Sequence, residues 1–277
     1  MALDSRSRVR TPLASALDLP PPFQLVTLRE VGDAFAHAKE IAAEQGAGTL
    51  VHVGRFDLAE FAVVLEPEEK LATARRAFYA GMTALADALA VHAPPEKPIS
   101  FDWPDAIRVD GGLVGGGRLA WPADADENEP PAWLVFGGMI RTVAMGEGEP
   151  GLRPLSSALD EEGFDEFGSG PLVESFARHL MVAIDAWQEQ GFGEVAKNYL
   201  ARLAPPPPLP SPASGGGKSA GPAGGGGKGG GGVRRAIDDN GDLLVRPMTN
   251  SEPERRALVP ALMTPSWLDP VAGGPRR

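Results

Sequence analysis

Residues 204–232 limit what this chain can fold into more than any other stretch. They open with Pro205-Pro206-Pro207-Pro208 and continue as glycine, serine, proline and lysine. Consecutive prolines favour a stiff polyproline II spacer, and the glycine-rich remainder has almost no side chain to bury, so no core can pass through it. A chain of 277 residues divided there folds as one sizeable unit, residues 20–203, and one short module, residues 233–277. Residues 1–19 carry no apolar pattern and read as a disordered N-terminus.

Composition narrows the function. Hydrophobic residues make up 43% of the chain, enough for a real core, yet no run reaches the roughly 18 apolar residues of a membrane span. No apolar stretch of secretory type opens the chain, so a cytoplasmic location is expected, with no membrane partner. Cysteine is absent, which excludes disulfides, thiolate metal sites and a cysteine nucleophile. The four histidines, at positions 37, 52, 92 and 179, form no i,i+4 pair, and no metal site is expected. A net charge of −11 argues against a nucleic-acid partner, because neutralising phosphates requires a basic face.

Hydrophobic periodicity sets the elements. Residues 23–28, 49–53, 60–65, 99–103, 112–121 and 133–142 read as strands. Val31, Phe35, Ala38 and Ile41 mark a helix ending near Gly46-Ala47-Gly48. Phe78, Met82, Leu85 and Leu89 stripe a long helix over 71–92, stopped by Pro94-Pro95. Leu172, Phe176, Leu180, Ile184 and Trp187 define another, and residues 195–203 a third. This order predicts an α+β domain with a mixed or largely antiparallel sheet backed by helices on one face. After the linker, Asp239-Asn240-Gly241 predicts a hairpin closed by a type I′ turn.

The chemistry concentrates in Phe101-Asp102-Trp103-Pro104-Asp105-Ala106-Ile107 and in the run from Asp110 to Gly117. Proline turns the chain sharply after the tryptophan, and a glycine-rich strand returns beside it. Gly115, Gly116 and Gly117 weaken a strand, and are tolerated where a ligand or another backbone comes close. Taken alone, Trp103 reads as core, Asp105 as a turn residue, and Arg55 and Arg118 as surface or ion-pair residues.

Together these motifs resemble the biotin/lipoate protein ligase superfamily, whose hallmark is Lys-Trp-Pro-Asn-Asp followed by a strand of the type Asp-Gly-Lys-Lys-x-Gly-Gly-x-Leu. The resemblance spans roughly residues 23–203. Trp133-Leu134-Val135-Phe136-Gly137-Gly138-Met139 is similar to the family's apolar strand ending in Gly-Ile-Asn, and Pro154-Leu155-Ser156-Ser157-Ala158-Leu159 to the start of its helical C-terminal part. The resemblance implies a class II synthetase-like domain, followed by a small SH3-like barrel. It also implies ATP and magnesium as cofactors, biotin or lipoate/octanoate as the acid, and a lysine of a biotinyl or lipoyl acceptor domain as the receiving group. Ligand contacts then fall on Arg55, Trp103, Asp105, Gly115, Gly116, Gly117 and Arg118.

The departures bear on the chemistry. Asp102 stands where the family has its first lysine, and Asp105-Ala106 where it has Asn-Asp. The second lysine falls on Gly112 or Leu113, and the arginine- and glycine-rich loop shrinks to residues 54–59 with Arg55 as its one arginine. Cations against the α-phosphate and the developing charge are what adenylation needs, and arginine does not simply replace lysine. Two readings follow: an ATP-dependent ligase, or a non-catalytic or altered-specificity module that keeps the fold and the pocket. No catalytic residue is assigned. Octanoyl transfer through a cysteine thioester is excluded, and a scaffold role for the polyproline stretch rests on residues 205–210 alone.

Overall fold

The computed structural model describes residues 17–29, 32–145, 155–164, 167–204, 234–246 and 252–276. Most of the expected disordered N-terminus and nearly all of the expected linker lie outside these residues.

Seven strands form one sheet: β1 (Gln24–Arg29), β2 (Thr49–Gly54), β3 (Leu58–Leu65), β4 (Ile99–Asp102), β5 (Ala106–Val109), β6 (Gly112–Ala120) and β7 (Leu134–Arg141). Their order is β1-β2-β3-β7-β6-β5-β4. Every pair is antiparallel except β1 with β2. A parallel pair needs a crossover, and α1 (Ala34–Gln45) supplies it. The domain is thus α+β, with a mixed and largely antiparallel sheet.

Alternation along β3 assigns the two faces. Ala59, Phe61 and Val63 enter the large core under α3 (Ala77–Ala90), α4 (Ser169–Gln190) and α5 (Phe192–Arg202), where the Phe61 and Phe176 rings lie 4.4 Å apart. Ala62 and Val64 point the other way, against Ala34, Ala38 and Ala42 of α1. Helices therefore cover both faces rather than one. The small alanines of α1 let that helix sit close to the sheet, and the sequence pattern carries no signal for which face it takes.

The predicted 71–92 helix is two pieces, α2 (Leu71–Ala74) and α3. The break falls at Arg75-Arg76. The Arg75 guanidinium is drawn into Glu127 of the acidic loop and lies over the Trp121 ring at 4.5 Å. A second difference is β5, a strand the sequence reading passed over. It stands between the edge strand β4 and β6, so the glycine-rich strand lies one place further in, between β5 and β7. Only four residues long and interrupted by Arg108, it offers too little alternation to detect. Asp110 and Gly111, both at positive φ (47° and 84°), make the tight turn into β6.

After residues 205–233 come β8 (Arg234–Ile237), β9 (Leu243–Arg246), β10 (Glu254–Arg256), α6 (Leu258–Leu262), and the two-residue strands β11 (Leu268–Asp269) and β12 (Gly274–Pro275). The hairpin forms, but not through a type I′ turn. Only Gly241 has positive φ, because the Asp238 carboxylate takes the Asn240 and Asp242 amides and closes the loop from its other end. Nor is there a closed barrel among the described residues. Strands this short leave too many apolar groups uncovered, and those groups pack on the main domain instead. Leu258 and Leu262 join the helix-side core. Tyr79 donates from its hydroxyl to the Gly241 carbonyl at 2.5 Å, and Arg235 to the Leu203 carbonyl at 2.8 Å.

Candidate ligand site on the glycine-rich strand

A bulge in β6 builds the site. The register of β5 on β6 shifts between Ile107 and Arg108, opposite Gly115 at φ 157°. A side chain at Gly115 would run into the Met139 carbonyl. The bulge resets the alternation, so that Leu113 and Gly116 share the face carrying α1 while Gly117 turns toward Met82 and Phe136 under the helices. Leu58, Ala106, Leu113 and Met139 then frame a shallow apolar box floored by the bare backbone of Gly116.

Trp267 fills that box. Its side chain is 1% exposed, its indole sits where a Cβ on Gly116 would be, and its Nε1 donates to the Gly117 carbonyl at 3.1 Å. Beside it, the Asp105 carboxylate accepts from the Ser266 amide at 2.9 Å and the Ser266 hydroxyl at 2.6 Å. Burial raises the Asp105 pKa above the ordinary carboxylate value more than those donors and Arg276 hold it down. Arg141, at the end of β7, donates to the carbonyls of Ser157, Pro275 and Arg276. Between Arg55, Asp57 and Arg141 on one side and residues 272–275 on the other remains a cavity of about 100 Å³.

The seven expected contact residues are divided by this geometry. Asp105, Gly116 and Gly117 meet Ser266 and Trp267, and Gly115 stands beside them in the bulge, against the Met139 carbonyl. Arg55 lines the residual cavity, with its guanidinium forked onto Asp57 at 3.0 and 2.7 Å; that hydrogen bond raises its pKa and lowers the pKa of Asp57. Arg118 is engaged by α1, stacking on Phe35 at 4.5 Å and reaching Asp33 at 3.4 Å. Trp103 is on the helix side, where its Nε1 donates to the Tyr79 hydroxyl at 3.3 Å, so it walls the core and not this box. The neighbouring Asp102 pairs with Arg108 at 2.6 Å.

Sequence reading missed Trp267, Ser266, Arg108 and Arg141. A large aromatic alone in a proline-punctuated stretch was the one available signal for Trp267, since such a side chain needs a cover. The other three gave none. Among the described residues no group of three histidine, aspartate or glutamate side chains is placed to hold a metal ion, and no helix is long and apolar enough to cross a membrane.

Residues 19–201 match the model of the Biotin/lipoate A/B protein ligase family. A biotin–[acetyl-CoA-carboxylase] ligase of Paracoccus denitrificans is 29% identical over 147 residues, covering 51% of this chain and 59% of that protein, so the match spans little more than half its length. Among solved structures, a biotin protein ligase-like protein of unknown function from Silicibacter sp. tm1040 shares 26% identity at a TM-score of 0.67, covering 88% of this chain and 97% of the other. The biotin protein ligase of Aquifex aeolicus, solved in complex with biotin and ATP, shares the fold at a TM-score of 0.53 and 14% identity, covering 84% of this chain and 98% of its own.

Proposed function

Because the chain belongs to the biotin/lipoate A/B protein ligase family, we propose that it takes a ring-bearing acid of the biotin type on its glycine-rich face. With MgATP it forms the acyl-adenylate and passes the acyl group to a lysine of an acceptor domain. The observation that carries this choice of acid is the polarity of the box. Two acceptors, the Gly117 carbonyl and the Asp105 carboxylate, stand beside apolar walls. A cyclic urea fused to a second ring offers N–H donors to both, whereas a lipoyl or octanoyl chain has none, and a buried acceptor left unpaired costs about 1–3 kcal/mol.

Arg55 and Arg141 are the cations on the cavity beside the box, and their planar forks fit a carboxylate or a phosphate. In adenylation the acid's carboxylate oxygen bonds to the α-phosphorus and pyrophosphate leaves. The acceptor amine then bonds to the acyl carbon, AMP leaves, and the amine loses a proton. Magnesium, arriving on the triphosphate, would neutralise charge on the leaving pyrophosphate. The named relatives support the reading: one is a biotin ligase by name, and another was solved with biotin and ATP.

Isotope exchange between pyrophosphate and ATP is the test. Exchange dependent on biotin, and slower with lipoate or octanoate, is expected; none with any acid, in protein shown to be folded, ends the ligase reading. A second reading has its own observation. The family's lysine positions hold Asp102, paired with Arg108, and Gly112 or Leu113, and no lysine lines the cavity. On that reading the protein binds the acid without ligating it, and calorimetry would detect binding where exchange is silent.

A further inference from the structure

We infer that residues 264–276 form an occluding strap, whose Trp267 competes with the acid for the glycine-rich face and which must lift before the acid can enter. The inference rests on the reading of that face as the acid's place, though not on adenylation.

Three groups suited to recognising a ligand are each satisfied by the strap. The Gly117 carbonyl accepts from the indole N–H, Asp105 accepts from Ser266, and Arg141 donates to the Pro275 and Arg276 carbonyls. The indole is itself a flat, two-ring group with one N–H donor, filling the box of Leu58, Ala106, Leu113 and Met139. With it in place, the cavity beside the box, lined by Arg55, Arg141 and residues 272–275, holds about 100 Å³, well below the roughly 300–1,000 Å³ of sites for small organic ligands. Acid and strap therefore exclude each other.

The strap is also attached in a way that permits release. Its strands β11 and β12 pair with each other and not with the seven-stranded sheet, so lifting it breaks no main-sheet ladder. Asp269 satisfies the Val271 and Ala272 amides within the strap, and the Arg276 amide returns to the Trp267 carbonyl, so its internal bonds travel with it. Just before it, Leu258 and Leu262 are fixed in the helix-side core while Met263 is 62% exposed. That boundary lets the strap swing while the rest of the module stays docked.

When only the open form binds, the measured affinity is the intrinsic affinity multiplied by the open fraction. The experiment is calorimetric titration of biotin into the full-length protein and into Trp267→Ala and Ser266→Ala, with lipoate and octanoate as parallel arms. Hydrogen exchange of residues 264–276 is followed with and without biotin. Trp267→Ala should bind biotin at least about tenfold tighter than the parent protein, with Ser266→Ala between the two. Saturating biotin should speed exchange in residues 264–276 of the parent. Equal biotin affinity in a folded Trp267→Ala and in the parent would overturn the strap, as would bound biotin that leaves exchange there unchanged. If Trp267→Ala fails to fold, Ser266→Ala decides by the same comparison. Tighter binding without pyrophosphate exchange would remove ligation and leave the strap standing. Exchange at equal rates in the parent and in Trp267→Ala would do the reverse. No biotin binding to any folded variant would overturn both.

Discussion

Asp105 is the residue on which the site turns. Its carboxylate lies beneath the Trp267 segment with two donors from Ser266, and burial raises its pKa above the usual 3.8. An acid whose folded pKa is raised holds its proton longer in the folded state than in the unfolded chain. Its contribution to stability is therefore fully present below the unfolded pKa and is lost as pH rises through the folded value. Asp105→Asn can still accept from the Ser266 amide and donate to its hydroxyl, without the titration. Urea midpoints measured from about pH 4 to 7 should fall less with rising pH in Asp105→Asn than in the parent; parallel curves would refute this assignment. Glu60, also raised by burial, is common to both proteins and drops out of the difference. At this scale the sequence was partly legible. Gly115 to Gly117 read as places of close approach, and they are, but the group approaching Gly116 is an indole from the same chain. Asp105, which in isolation reads as a turn residue, is 1% exposed because the chain after the linker folds over it.

Among the elements, the long stripes were legible and the short pieces were not. Fourteen residues of α3 and 22 of α4 repeat their apolar positions often enough to be seen in sequence. Four-residue β5 does not, and the break at Arg75-Arg76 depends on Glu127 and Trp121, some 50 positions on. Tyr79 shows how one helix holds the post-linker module. Its buried hydroxyl donates to the Gly241 carbonyl and accepts from the Trp103 indole. Tyr79→Phe leaves the buried Gly241 carbonyl and the partly buried Trp103 indole without that partner, and should cost about 1–3 kcal/mol in urea unfolding. Hydrogen exchange should accelerate in residues 234–246 before it does in β3. Uniform acceleration across the whole chain would mean that this bond does not hold the module in particular.

For the molecule as a whole, the consequence is a ligase fold that carries its own occupant. Truncating a buried tryptophan typically costs about 3–5 kcal/mol, so Trp267→Ala should be clearly less stable than the parent. A ligand that binds only the folded state returns stability, about 2.7 kcal/mol at a hundred times its Kd. Biotin should therefore raise the melting temperature of Trp267→Ala by several degrees and move the parent much less. Equal shifts in both proteins would contradict competition at this box.

What the sequence determined by itself is local. Its hydrophobic periods set the long strands and helices, and the order of its motifs pointed to the family. Those signals survive because 2.0- and 3.6-residue periods and backbone restrictions act over neighbouring residues. Only the tertiary structure decided the rest: that Trp103 faces the helices, that Arg118 goes to α1, and that the glycine-rich face is filled by Trp267. The hydrogen bond from Trp267 to Gly117 spans 150 positions, and that from Ser266 to Asp105 spans 161. No local pattern encodes such pairings. They follow from which buried surfaces remain open once the sheet has formed, and in this chain the indole covers the glycine-rich face.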